Sequence, residues 1–269
     1  MYFAVKGKQA FAATGGKPFD NSKPTVVFLH GSGFDHTVWN LQARYFAFRG
    51  YTVLAPDLPG HTHSDGPPLE TIEAMADWLN DVVEELDARD LSVVAHSQGC
   101  LIALEFALRY PERLRSVTFI ASGLATPVND FLLDAAAQDS EAAIAMMLGW
   151  GFGSAGHLHQ GPIPGNSMIA AARKVMRRNA PAALAADLNA CNAYANGKQA
   201  AAAIRLPTQV IGAGKDRMAP RRATTELVEH LEKPEVTLIP ESGHIVPQEV
   251  PDQCRALLKA FIFANNPSR

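Results

Sequence analysis

Apolar and polar positions along this chain alternate between two rhythms, and the rhythm changes once. TVVFLH (Thr25–His30) is a short apolar, β-branched run ending at Gly31, which predicts a strand buried on both faces. Thr37 to Arg49 reads as a helix stopped by Gly50, and YTVLAPD as the next strand, broken by Pro56 and the Pro59-Gly60 turn. From Glu70 to Ala88 the apolar residues Ile72, Met75, Leu79, Val82, Val83 and Leu86 recur at helical spacing. LSVVA is a strand, Ser97 to Arg109 a helix closed by Pro111, and SVTFIA another strand. Before all of these, Tyr2 to Val5 and Gln9 to Ala13 flank Lys-Gly-Lys and predict a β-hairpin.

Strand and helix thus take turns through four strands, which implies a mostly parallel sheet covered on both faces. From about Leu124 to Ala203 no strand-like run occurs. Ala-rich helical segments there flank a Gly-Pro-rich loop, GWGFGSAGHLHQGPIPGNS. Alternation resumes with PTQVIGAG, a helix near Arg221–Leu231, the strand VTLIP and a helix near Asp252–Ala264. The expectation is one α/β domain made of residues 1–123 and 204–269, with an all-helical insertion over 124–203. No internal repeat is found.

Composition narrows the partners. The chain has 269 residues, 47 % hydrophobic and 19 % charged, with a formal net charge of −3, as in an ordinary soluble globular protein. No Lys/Arg run exceeds a pair, which argues against nucleic acid or an anionic membrane as partner. Cys100, Cys191 and Cys254 are far apart and odd in number, so three buried small hydrophobes are expected rather than a disulfide framework or a zinc cage. MYFAVKGKQAFAAT has no charged start followed by an apolar block, and no apolar run approaches a membrane span; a cytoplasmic protein is expected. Monomer and homodimer stay equally open.

A parallel sheet presents reactive groups at the carboxyl ends of its strands. Here His30-Gly31-Ser32-Gly33, His96-Ser97-Gln98-Gly99, Lys215-Asp216-Arg217 and Ser242-Gly243-His244 each follow a strand. Serine is a weak nucleophile that needs a base, and the base needs an orienting acid, so Ser97, His244 and Asp216 form a candidate set. Each residue also has a plainer role. Ser97 suits a helix N-cap. Asp57, in APDLPG, competes with Asp216 as the acid but reads as turn chemistry. His30 and His96 read as structural rings bonded to backbone. His61, His63, His157 and His159 form H-x-H pairs without a further ligand set and read as solvent-exposed loop residues, so no metal is expected. No phosphate loop or dinucleotide fingerprint occurs, and no cofactor is expected.

The order HGSG, H-S-x-G, GAGKDRMAP and G-H resembles the α/β-hydrolase superfamily over nearly the whole chain, in particular its serine-nucleophile esterase and lactonase members with a helical cap. The resemblance implies Ser97, Asp216 and His244 as catalytic triad and the backbone N–H groups of Ser32 and Gln98 as oxyanion hole. It implies a cap at 124–203, with a pocket for which Gly33, Met147, Trp150, Met218 and Ile245 are candidates. The apolar bulk of Met146, Leu148, Phe152, Met168 and Met176 serves either that pocket or the cap's own core. The loop Gly149 to Gly165 is expected to gate entry.

Two departures from the family pattern stand out: Ala213 occupies a usual glycine before the acid, and Ala95 one before the nucleophile. Ala95 is expected to face Gly99 across a tight turn, one methyl being tolerable where its opposite number has none. The implied activity is hydrolysis of a small carboxylic ester or lactone through an acyl-enzyme. The alternatives are carbon–carbon hydrolysis of a ring-cleavage product, and a triad-bearing ligand receptor or signalling protein with little turnover.

Overall fold

The computed structural model describes residues 1–158 and 164–266. Its strands are β1 Tyr2–Val5, β2 Lys8–Ala13, β3 Pro24–Leu29, β4 Thr52–Pro56, β5 Arg89–His96, β6 Leu114–Ile120, β7 Thr208–Ala213 and β8 Glu235–Ile239. They form one sheet in the order β1-β2-β4-β3-β5-β6-β7-β8, antiparallel at the β1–β2 and β2–β4 pairs and parallel from β4 to β8. The sheet helices are α1 Asn40–Ala47, α2 Ile72–Glu85 and α3 Gln98–Arg109. After β6 come α4 Asp130–Gln138, α5 Ser140–Gly151, α6 Ser154–His157, α7 Met168–Met176, α8 Ala183–Ala193 and α9 Gly197–Ala203. The chain then adds α10 Arg221–His230, α11 Val246–Glu249 and α12 Pro251–Asn265.

Both faces of the sheet are dry over its central strands, such as β3, β4 and β7, which is why these are continuous apolar runs. Val26 and Phe28 of β3 join a core with Phe46 of α1 and Leu258, Phe261 and Ile262 of α12. Val27 and Leu29, one residue out of phase, point into a second core with Ile72, Met75 and Leu79 of α2 and Leu101 of α3. Burying one such side chain contributes about 1.5–3 kcal/mol, against at most about 0.7 kcal/mol for an ordinary residue's helix propensity. Packing therefore decides α2, and Thr71 starts it by accepting the Ala74 N–H at 3.1 Å.

The helical segment between β6 and β7 differs from the loop expected in it. Gly149 to Gly151 continue α5, and Ser154–His157 form a further helical turn, so the Gly-rich stretch is partly helical. Its packed neighbours explain this. Met147 and Leu148 are buried in the same core as Val26, and the Gly151 carbonyl accepts the His244 N–H at 2.7 Å. Residues 159–163, which include His159 and part of the expected gate, lie outside the described residues. Cys100, Cys191 and Cys254 are free and buried, as expected. Among the described residues no helix is long and apolar enough to cross a membrane.

Candidate active site

β5 lies between β3 and β6, so every ladder bond along it is made before the chain leaves the sheet. It ends at His96, and α3 begins at Gln98. Ser97 makes the whole turn between them, with φ 54° and ψ −122°, a left-handed conformation that costs a non-glycine residue about 1–3 kcal/mol. Its hydroxyl does not cap α3. The helix N-cap role that serine so often plays is thus absent here, and the strained backbone holds the side chain away from the helix.

The expected opposition of Ala95 and Gly99 is not what makes the turn tight. A Cβ on Gly99 would lie 2.6 Å from the Leu29 carbonyl oxygen and 2.8 Å from that of His30, so the crowding comes from β3. Ala95 points into the core shared with α2 and α3, where a methyl fits. The second departure resolves similarly. Ala213 ends β7, and the close approach falls one residue later, where a Cβ on Gly214 would meet the Pro240 carbonyl oxygen at 2.3 Å.

Beyond Gly214 the chain turns at Asp216. Its Oδ1 accepts the N–H groups of Met218 and Ala219, both at 2.8 Å, and its Oδ2 lies 2.8 Å from His244 Nδ1. Burial pushes this carboxyl up, but the His244 ring and the donated N–H bonds together outweigh burial and hold it below the ordinary carboxylate range. An ionised carboxylate can only accept, so Nδ1 of His244 carries a proton and its Nε2 is the ring nitrogen left for other partners.

The His244 loop is held from three sides. His244 donates its N–H to Gly151, and its carbonyl accepts from His96 Nε2 at 2.8 Å. The Glu249 carboxylate accepts the N–H groups of Gly153 (2.9 Å), Gly243 (3.1 Å) and Ile245 (3.1 Å), tying α5's end to the histidine loop. His96 is neutral. Burial and the neighbouring His244 push its pKa down to about 3.

Ser97, His244, Ser32, Met147, Met218 and Ile245 line one small cavity of about 10 Å³, together with Gly31, Phe34, His96 and Leu148. Among the described residues the Ser97 hydroxyl takes no hydrogen bond, so it shares this cavity with His244 without being bonded to it. Gly33 and Trp150 stand elsewhere. A Cβ on Gly33 would meet Met176 at 2.7 Å, and Trp150 packs half-buried against the core. Gln98 is fully buried at the first position of α3. A larger groove of about 350 Å³, lined by Val38, Gln42, Met168 and Pro247 among others, contains neither Ser97 nor His244.

Two sequence readings are corrected here. Asp57 is more than a turn residue. It is fully buried, accepts both the His36 N–H and the His36 ring at 2.8 Å, and takes the His63 N–H at 3.3 Å. That partnership with His36 keeps it away from His244. Asp35, His36 and Asp57 bring candidate ligand atoms within 4.8 Å of one another. Asp35 accepts from Thr37 and Thr62, however, so these carboxylates are already engaged by protein donors. His61, read as a solvent-exposed loop residue, is 1 % exposed because the segment after β4 folds beneath α8, where Asp187 lies 3.0 Å from its Nε2. Asp187 and Glu249 were not singled out from sequence. The available signal for Asp187 was an acid inside ALAADLNACNA, a helix with little other polar surface.

A sequence model of the alpha/beta hydrolase family matches residues 26–257. An uncharacterized protein of Mycobacterium tuberculosis is 35 % identical over 130 residues, a match spanning 47 % of this chain and 38 % of that protein. The pimeloyl-[acyl-carrier protein] methyl ester esterase of Aromatoleum aromaticum is 26 % identical over 260 residues, 90 % of this chain and 99 % of that one. Among solved structures, the enol-lactonase of Burkholderia xenovorans LB400 superposes with a TM-score of 0.86 at 22 % identity, covering 97 % of this chain and 99 % of that one. The likeness to that structure establishes the architecture.

Proposed function

The chain belongs to the alpha/beta hydrolase family, and from that premise we propose that it is a serine hydrolase cleaving a small carboxylic ester or lactone through an acyl-enzyme. The observation that carries the reading is the Asp216–His244 hydrogen bond at 2.8 Å, on a histidine that shares a cavity with the strained Ser97.

In this mechanism the Ser97 hydroxyl attacks the carbonyl carbon while His244 Nε2 takes its proton. Asp216 holds the tautomer that leaves Nε2 free and stabilises the imidazolium. The N–H groups of Ser32 and Gln98 receive the charge that develops on the carbonyl oxygen. The orientation of the Ser32 peptide supports that role. The Gly31 carbonyl is held by the Phe34 N–H at 3.1 Å and by His30 Nδ1 at 3.0 Å. A trans peptide directs the Ser32 N–H the opposite way. His30 Nε2 accepts the Leu58 N–H at 3.2 Å, so Nδ1 must be the nitrogen that donates to Gly31. The tetrahedral intermediate collapses as the imidazolium protonates the leaving alkoxide. Water, deprotonated by the same ring, then releases the acid and restores Ser97.

Residues 124–203 act as the cap in this reading, with Met147 and Leu148 as its contribution to the cavity. Activity-based labelling with a fluorophosphonate, read by mass spectrometry alongside turnover of p-nitrophenyl acyl esters, tests it. One adduct on the Ser97 peptide and many turnovers per molecule are expected. Labelling that persists in Ser97→Ala, or a single turnover with no release, overturns the hydrolase reading.

A further inference from the structure

We propose that Asp187, on α8 of the helical insertion, is a positioning residue that fixes the oxyanion loop by holding the Gly33 N–H, with His61 as its counter-ion. The inference rests on the function proposed above and adds a residue to its machinery.

Asp187 Oδ2 accepts the Gly33 N–H at 2.8 Å and faces His61 Nε2 at 3.0 Å. The other His61 nitrogen, Nδ1, faces the Pro59 carbonyl at 3.2 Å. Both ring nitrogens therefore meet acceptors, and an imidazolium satisfies both at once. Burial pushes the His61 pKa down, but the charge and hydrogen bond of Asp187 outweigh it and raise it above its ordinary value. The other end of Gly33 is held from the same direction. Its carbonyl accepts Asn179 Nδ2 at 2.8 Å, and Asn179 Oδ1 accepts the Thr62 N–H at 3.1 Å. The insertion thus grips both polar groups of Gly33, directly beside the Ser32 peptide. The main-chain carbonyl of Asp187 also accepts Gln98 Nε2 at 3.4 Å.

This arrangement is a poor device for stability alone. Asp187 is fully buried, and its Oδ1 has no partner among the described residues. An unsatisfied buried acceptor costs about 1–3 kcal/mol, and apolar side chains of similar volume often replace a buried ion pair without loss. What apolar residues could not do is accept the Gly33 N–H.

Three variants decide the matter. His61→Leu/Asp187→Leu removes both charges and the acceptor together. Asp187→Asn keeps, at the place of Oδ2, an oxygen that accepts both the Gly33 N–H and the Nε2–H of a neutral His61. Asp187→Ser withdraws the carboxylate from Gly33 while staying polar, and is read in the same way if the double variant does not fold. With p-nitrophenyl acetate as probe, the double variant should lose about 10²–10³-fold in kcat, the scale of losing an oxyanion donor, with KM within about threefold. Asp187→Asn should stay within about tenfold of the parent. Amide exchange across residues 31–35, measured by mass spectrometry, should rise in the double variant and not in Asp187→Asn. Parental kcat and exchange in the double variant, or equal losses in the two Asp187 substitutions, would overturn the assignment. If the parent protein neither turns over esters nor labels at Ser97, the hydrolase reading fails, and amide exchange alone then decides whether Asp187 holds the loop.

Discussion

His96 and His244 stand with ring centroids 4.8 Å apart, and the Nε2–H of His96 donates to the main-chain carbonyl of His244. The residue before the serine thus supports the backbone of the residue proposed as its base. The support depends on His96 remaining neutral. Its pKa in the fold is about 3 against an ordinary 6.5, so below 6.5 the unfolded chain binds a proton that the folded chain refuses. Stability is therefore lost as pH falls from 6.5 toward 3. In thermal melts across that range, His96→Asn should show a shallower acid decline than the parent. A slope equal to the parent's would mean that His96 does not govern it.

Replacing Asp216 and Asp57 in turn separates two buried acids with different partners. Asp216→Asn should lower kcat by about 10⁴, because the histidine tautomer is then no longer enforced. Asp57→Asn should cost about 1–3 kcal/mol of stability through weakened bonds to His36, with kcat within about tenfold. Ester kinetics and melts on both proteins give the answer, and a reversal of the two kinetic effects would move the acid to Asp57.

At the elbow, Gly99→Ala forces a methyl against the Leu29 and His30 carbonyls, at the end of β3 and just beyond it, next to the Gly31–Ser32 turn. A loss of about 1–3 kcal/mol and at least about tenfold in kcat is expected. Ala95→Gly only adds unfolded-state freedom within a strand, for about 1 kcal/mol at most and near-parental activity. Full activity in Gly99→Ala would show that the elbow has slack.

The His61–Asp187 pair has its own pH signature. His61 is raised above 6.5, so its contribution is complete below 6.5 and is lost as pH rises through its folded value. Asp187 is lowered below 3.8 because the His61 charge and the Gly33 bond outweigh burial. Its contribution is complete above 3.8 and is lost as pH falls through its folded value. The neighbouring ionisable groups, His30, Asp57 and Cys191, remain in His61→Leu/Asp187→Leu, where His30 and Cys191 lose the charges that the pair places beside them. Above 6.5 the parent's Tm should therefore decline relative to that variant's. Parallel curves would show that His61 carries no extra proton in the fold.

The parallel sheet was legible because both of its faces are buried, leaving continuous apolar runs such as Val26–Leu29. Asp216 and His244 were legible because strand ends are where such a sheet displays polar groups. The insertion hid the rest. Nothing local to Gly60-His61-Thr62-His63 says that α8 will cover it, so His61 looked solvated. Asp187 was not singled out, because nothing near it in ALAADLNACNA shows that its side chain is buried. Gly149 and Gly151 were read as part of a Gly-Pro-rich loop, although packing of Met147 and Leu148 carries α5 through them. The reason for Gly99 was equally out of reach, since the carbonyls that exclude a side chain belong to Leu29 and His30, about seventy residues earlier in the sequence.

The cavity shared by Ser97 and His244 is about 10 Å³, the least that admits one water. On the function proposed above, an ester larger than that water fits only if lining side chains such as Met147 and Leu148 give way. Observed affinity is then the intrinsic affinity scaled by the fraction of molecules so arranged; a one per cent population weakens binding about a hundredfold. Glu249 fastens the end of α5, the helix that carries Met147 and Leu148, to the histidine loop through Gly153, Gly243 and Ile245. In the proposed hydrolase, selectivity among substrates is in this sense written as much into a carboxylate that lines no part of the cavity as into the walls that do.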